Sequence, residues 1–332
     1  MSRRPLVLAL AAMLALGSPS PAAAYLKFGA RVGETVVDVK WTAASLPYFI
    51  TERGVPGVDA FQFRDVVARA FATWTAAEAE TPSFAFQGFT VAAPLSSDGR
   101  STLGFLDRPD LDRVLGATVF LLDGNTGAIL ESDIFFNTRF TWSVAPGGEP
   151  GRVDLESVAT HEIGHLLGLG HSALGETEVV GDGRRVIASG AVMFPIAFSA
   201  GSISDRVLQP DDVAGLLQLY PAPGAVTRLG GVRGRVTRAG RGLFGVHVAA
   251  FNPTTGVIIG GFTLGDDGEF VIAGLEPGPY ILRAEPLDDA DVEGFFSERT
   301  VDIDFGVTYA PRLVVAPAGG TSAPVEIQVR PR

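Results

Sequence analysis

The chain has 332 residues, no cysteine and a formal net charge of −11 at neutral pH. That charge argues against nucleic acid or an anionic membrane as partner, and without thiols the fold rests on core packing, with bound metal as a further staple, and not on disulfides. A hydrophobic fraction of 46% suits globular cores, and the length has room for two domains. Residues 1–24 read as a secretory leader, with Arg3-Arg4 as the charged start, a short apolar run from Leu6 to Leu16 and Ala22-Ala23-Ala24 as a small-x-small cleavage site. The apolar run is too short for a comfortable span, and Ser18-Pro19-Ser20-Pro21 breaks a helix after it. Tyr25 is the expected mature N-terminus of an exported protein, whose charge is then near −13 (−11 − 2, for Arg3 and Arg4). No later run is long enough to span a bilayer.

Residues 25–40 alternate polar and apolar side chains, and Leu46-Pro47-Tyr48-Phe49-Ile50 reads as a first strand. From Asp59 to Glu80 the spacing predicts a long amphipathic helix, with Phe63, Val66, Val67, Ala70, Phe71 and Trp74 as one apolar stripe that covers a sheet. Phe84–Phe86, Thr102–Leu106, Gly116–Leu122 and Ala128–Phe136 read as four more strands, the last two joined by a tight turn over 123–127. Val153–Leu167 is the next helix, with Asp154 as N-cap and Glu156 at its positive end. Residues 173–190 are a polar insertion, expected as a loop. A last helix opens at Leu208-Gln209-Pro210-Asp211-Asp212, with Pro in the first turn, two acids at the positive end, and Val213, Leu216, Leu217 and Tyr220 as its buried stripe.

The chemistry concentrates in His161-Glu162-Ile163-Gly164-His165-Leu166-Leu167-Gly168-Leu169-Gly170-His171. On a helix His161 and His165 stand one turn apart on the same face. Two neutral imidazoles at that spacing can take two corners of a tetrahedral zinc site. Glu162 need not be a ligand; it can take the proton of a water that the metal polarises. Gly168 suits the left-handed position that ends a helix, after which His171 can swing back as third ligand. Three of the chain's four histidines fall within these eleven residues.

This string resembles the signature of the metzincin metallopeptidases, HExxHxxGxxH followed by a Met-turn. Ser172 directly after the third His, and Met193-Phe194-Pro195 downstream, resemble the matrixin branch. The opening phrase Trp41…Leu46-Pro47-Tyr48, the order long helix, strands, zinc helix, and the closing helix are similar to matrixin catalytic domains over residues 40–221. The resemblance implies a zinc endopeptidase with His161, His165 and His171 on Zn²⁺, Glu162 as general base and acid, and Met193 as a floor that does no chemistry. It makes Gly116–Leu122 the sheet edge above the cleft, able to hold an extended protein or peptide substrate by strand addition, and makes Pro195–Arg206 the outer wall of the pocket after the cleaved bond. Glu131–Asn137 resembles the strand that carries calcium and structural-zinc ligands in animal matrixins, but Phe135 stands where that family has His. A second histidine-bound zinc is excluded by counting, since His247 alone remains; Asp123, Asn125, Glu131 and Asp133 either offer oxygens to Ca²⁺ or are solvated turn and strand-end residues. No thiolate of this chain can cap the metal; Glu34 or Asp38 is the carboxylate available for such a role.

Pro221-Ala222-Pro223-Gly224 begins a linker over 222–229. Beyond it, Val232–Thr237, Val246–Phe251, Gly268–Ile272 and Tyr280–Ala284 read as short strands of an all-β sandwich over 230–332. The phrase from Gly268 through Gly274-Leu275 to Pro277-Gly278-Pro279-Tyr280 resembles the carboxypeptidase regulatory-like, transthyretin-like domains. His247 reads as a strand-face residue and not a ligand. The expected fold is α+β: a matrixin-like domain (25–221) with a twisted, mostly parallel sheet, then the sandwich. The expected function is a secreted, monomeric zinc endopeptidase. Two other readings stay open: a secreted protein whose sandwich binds a surface or glycan while the metal domain is latent or non-catalytic, and a metal that is purely structural.

Overall fold

A computed structural model describes residues 6–8, 27–180, 183–287, 295–296 and 299–332. The expected leader cleavage site and Tyr25 lie outside the described residues. The first strand, β1 (Leu6–Leu8), is followed by a hairpin of β2 (Gly29–Val32) and β3 (Thr35–Asp38), then by β4 (Ser45–Thr51).

Helix α1 (Ala60–Thr75) begins in a capping box: Gln62 N–H donates to Asp59 Oδ1 at 2.9 Å, and Asp59 N–H to Gln62 Oε1 at 3.0 Å. It ends five residues before the expected Glu80, because the chain turns at Ala76 and Glu78 takes a positive φ of 56°. All six stripe residues are buried. Trp74 also donates from Nε1 to Thr160 O at 2.7 Å, fastening α1 to the helix that carries the histidines.

Strands β5 (Ser83–Thr90), β6 (Ser101–Leu106), β7 (Gly116–Leu122) and β8 (Ile129–Asn137) join β4 and β1 in one six-stranded sheet, in the order β1-β7-β8-β6-β4-β5. The pairings β4/β5, β4/β6 and β6/β8 are parallel; β7 runs antiparallel to β8. On its outer side β7 is paired, antiparallel, by Leu6–Leu8, with Leu8 opposite Phe120. Two short parallel strands, β9 (Trp142–Ser143) and β10 (Val153–Asp154), lead into α2 (Leu155–Leu166), which packs with α1 in the same core as the sheet. Asp154 caps α2 as expected, its Oδ1 accepting from Ser157 N–H at 2.8 Å; Arg206 also donates to that carboxylate from Nε at 3.0 Å.

The polar insertion is not an irregular loop. It folds as an antiparallel hairpin of β11 (Gly175–Val180) and β12 (Gly183–Ser189), whose backbone groups pair with one another. Gly175 allows the hairpin to cross the Phe194 ring, which an added Cβ would meet at 2.5 Å. After a short 3₁₀ turn at Ser204–Arg206 comes α3 (Pro210–Leu219), then α4 (Ala225–Arg228) inside the expected linker. On α3 Leu216, Leu219 and Tyr220 are buried, while Val213 and Leu217 are half-buried.

The rest of the chain forms two sheets over one shared core. The first orders β14 (Arg241–Gly242), β13 (Gly230–Arg238) and β17 (Glu269–Leu275), with β21 (Val325–Gln328) also on β13. The second orders β16 (Ile258–Phe262), β15 (His247–Phe251), β18 (Gly278–Glu285) and β19 (Thr308–Tyr309), with β20 (Val314–Ala316) on β18. Val232, Phe270 and Ile327 from one sheet meet Val248, Leu282 and Ala284 from the other. Among the described residues no helix is long and apolar enough to cross a membrane.

Candidate metal centre and active site

Helix α2 stops one residue after His165. Gly168 N–H donates to His165 O at 2.7 Å and Leu169 N–H to Gly164 O at 3.1 Å, the paired bonds of a Schellman ending, with Gly168 at φ 100°. A side chain at Gly168 would collide with Val39 O. The turn brings His171 back to the helix face, so the ring centroids of His161, His165 and His171 lie 4.7, 4.8 and 5.4 Å apart. One ligand atom from each lies within 4.8 Å of the others, and among the described residues this is the group of His, Cys, Asp or Glu side chains that converges in this way.

The tautomers follow from the partners. His161 Nδ1 sits 2.8 Å from Val192 O and His165 Nδ1 2.8 Å from Leu169 O. A carbonyl only accepts, so each Nδ1 carries the proton and each Nε2 presents a bare lone pair. His165 Nε2 and His171 Nε2 then face each other at 3.2 Å. Burial, helped by the neighbouring His171, drives His161 down to about 3, and burial with both other histidines drives His165 well below its ordinary value. Imidazoles that converge on one point, two of them neutral and oriented by a carbonyl on the other nitrogen, fit a zinc ion.

Glu162 is buried beside this cluster. Thr118, on β7, donates from Oγ1 to Glu162 Oε2 at 2.7 Å and lies 3.0 Å from Glu162 O. Burial raises the carboxyl to about 7, against the Thr118 hydrogen bond, which lowers it. Space for the carboxylate depends on Gly116, where an added Cβ would lie 3.2 Å from Glu162 Oε1 and 2.9 Å from Phe135 O.

Met193 is fully buried against α2 at Gly164, the turn between the first two histidines. A Cβ at Gly164 would strike Met193 Sδ and come within 2.7 Å of the Trp74 ring, so the helix carries a glycine there despite its propensity cost of about 1 kcal/mol. Asp212, with no exposed surface, holds this turn: its Oδ2 accepts from Val192 N–H at 2.9 Å and Gln209 N–H at 2.8 Å, and its Oδ1 from Met193 N–H at 3.1 Å. Ser172 N–H donates to Met193 O at 2.9 Å, which ties the His171 loop to the same turn. Thr118, Gly116, Gly164 and Asp212 were not singled out from the sequence as site residues. The local signals for these were a Gly inside an otherwise helical run, for Gly164, and an acid at a helix N-terminus, for Asp212.

The remaining candidates lie elsewhere. Asp123 Oδ1 accepts from Asn125 and Thr126 N–H in its own turn. Glu131 accepts from Gly99 N–H at 2.6 Å, and Asp133 from Leu95, Ser96 and Thr102 N–H, so both acids fasten the 95–102 loop to β8. Burial raises Asp133 to about 6. Phe135 is buried under the Arg108 guanidinium, 5.4 Å from its ring centre. His247 is buried on β15 with Nδ1 2.7 Å from Glu285 Oε1. Asp38 pairs with Lys27 at 3.0 Å, Glu34 is exposed, and neither belongs to the converging group. Phe28, from the segment before β2, places its ring 5.5 Å from His165 and 5.4 Å from Phe120.

Residues 40–221, more than half of the chain, match the family model described as Matrixin. The chain is 30% identical over 189 residues to the Arabidopsis thaliana metalloendoproteinase 1-MMP, covering 54% of this chain and 44% of that protein. Metalloendoproteinase 2-MMP from the same plant is 30% identical over 175 residues, covering 48% of this chain and 38% of that protein. Rat matrilysin is 34% identical over 94 residues, 28% of each chain. The matched stretches thus span less than half the length of these relatives. With the converging histidines inside the matched residues, the chain belongs to the matrixin family of metallopeptidases.

Proposed function

We propose that this protein is a secreted zinc endopeptidase that uses His161, His165 and His171 as metal ligands and Glu162 as general base and acid. The observation that carries the reading is the convergence of three imidazoles on one point beside a buried carboxylate. A zinc ion bound by these three residues would supply Lewis acidity to a water and to a peptide carbonyl. Glu162 takes the proton of the attacking water and returns it to the leaving amine, a task suited to a carboxyl poised near 7. Thr118 holds one carboxylate oxygen, which leaves the other for proton transfer. Met193 and Asp212 keep Val192 O on His161.

A peptide substrate is supported by β7. Its outer side pairs with an extended segment of this same chain, Leu6–Leu8, antiparallel and with Leu8 opposite Phe120. Removal of the leader at Ala24 frees that edge for a substrate strand. Secretion rests on the leader composition. The two-sheet unit after α4 reads as a carboxypeptidase regulatory-like sandwich, which divides the mature chain at 25–221, 222–229 and 230–332.

Purified residues 25–332 are expected to cut casein into internal fragments, to lose that activity on removal of metal by a chelator, and to regain it with one equivalent of Zn²⁺. Hydrolysis that survives complete metal removal would end this reading.

A further inference from the structure

We propose that the C-terminal two-sheet unit is a built-in support of the metal centre, in which Phe295 and a Gly260–Asp211–Ser172 hydrogen-bond chain hold the loop that presents His171. This rests on the zinc reading above and brings in two residues from outside the matched stretch 40–221, Gly260 and Phe295.

His171 is the one ligand that lies on no helix. Its loop, between Gly168 and Gly175, therefore depends on what packs against it. On one side are the Met193 turn and Asp211; on the other is the C-terminal unit. Phe295 is only 1% exposed, and its ring stands edge-on to His171, at 6.0 Å between centroids and 89° between planes. Phe262, on β16, backs Phe295 at 5.2 Å, and Ala173, two residues after the ligand, is buried in the same cluster with Leu287, Phe296 and Val301. Leu174 continues the contact, meeting Ala249 of β15 in a small apolar cluster with Ala191.

The polar chain runs beside this apolar one. Gly260 N–H, on β16, donates to Asp211 Oδ1 at 2.7 Å, and Ser172 Oγ donates to Asp211 Oδ2 at 2.5 Å. Asp211 has no exposed surface, so both oxygens depend on these donors. One of the two comes from the residue after His171 and the other from the C-terminal unit. A detachable adhesive module meets its neighbour through a small, polar, hydrated contact. Here the contact is an apolar cluster with a buried carboxylate, and it ends on a metal ligand. Groups that orient a ligand are worth about 10–100-fold in metal affinity. Phe295 and Asp211 are positioning residues in this sense, acting through His171 and its loop.

The test compares two neighbours in one cluster. Phe296 packs against Phe244 and Phe262, at 4.9 and 5.6 Å, so Phe296→Ala removes comparable volume from the cluster. In the full chain, the zinc Kd is measured by competition with a chromophoric chelator, and the ligand field by the visible spectrum of the cobalt-substituted protein. Phe295→Ala is expected to raise the zinc Kd by about 10-fold and shift the cobalt bands, while Phe296→Ala changes the Kd by less than about 2-fold. Equal effects of the two substitutions, or an unchanged Kd in Phe295→Ala, overturn the proposal while the zinc reading stands. If the alanine variants do not fold, Phe295→Leu and Phe296→Leu are compared by the same two outcomes. A wild-type chain that binds no zinc overturns the reading and this inference together.

Discussion

Glu162→Ala is expected to lower kcat for casein by about 10³-fold while leaving zinc content at the wild-type level. Zinc is retained because Glu162 is outside the converging group, and because the Nδ1 protons of His161 and His165 are held by the carbonyls of Val192 and Leu169. The fold is retained because the substitution removes a carboxyl that burial has already pushed up to about 7, and Thr118 Oγ1 keeps Glu162's own backbone oxygen as partner at 3.0 Å. What is lost is the buried carboxylate beside the metal ligands that is positioned to move a proton. Steady-state kinetics beside metal analysis of the same preparation decide the matter. Wild-type turnover in the variant would assign proton transfer to another group, and loss of zinc together with activity would make Glu162 a structural residue.

Asp212→Ala is expected to be the most damaging single change away from the ligands. Three backbone N–H groups, of Val192, Met193 and Gln209, converge on its carboxylate in a site with no exposure. Stranding a buried donor costs about 1–3 kcal/mol, so the loss is about 3 kcal/mol or more, against a total stability of about 5–15 kcal/mol for a typical domain. The expected drop in Tm is about 6–12 °C for a unit of this size. Because Val192 also supplies the carbonyl that orients His161, zinc affinity is expected to fall by about 10-fold or more in the same variant. Thermal unfolding and chelator competition measure the two effects; an unchanged Tm and Kd would mean that the Met193 turn holds itself without the aspartate.

The parts of this site that were legible in the sequence are those encoded by local period. His161 and His165 declare themselves by helical spacing, Gly168 by the helix ending it permits, and the α1 stripe by its 3.6-residue repeat, every member of which is buried. Asp212 was legible only as an acid at a helix N-terminus. Its partners come from residues 192 and 193, and no spacing rule links them to α3. Asp211 is the same case at longer range, since its second donor is Gly260. Thr118 reaches Glu162 from β7, 44 positions earlier, and Gly116 serves by lacking a side chain. The 175–189 hairpin is not legible in the sequence because its ladder is formed with itself in a polar stretch, so no apolar face marks it. The end of α1 was overrun because the apolar stripe stops at Trp74 while helix-compatible residues continue to Glu78, where the backbone turns left-handed.

The most direct measurement is X-ray absorption at the zinc edge on the metal-loaded full chain. A three-histidine open site predicts three imidazole nitrogens at about 2.0–2.1 Å and one further light ligand from solvent. That ligand should be replaced when a peptide hydroxamate is added. Four protein ligands that do not exchange would contradict a catalytic centre and make the metal structural.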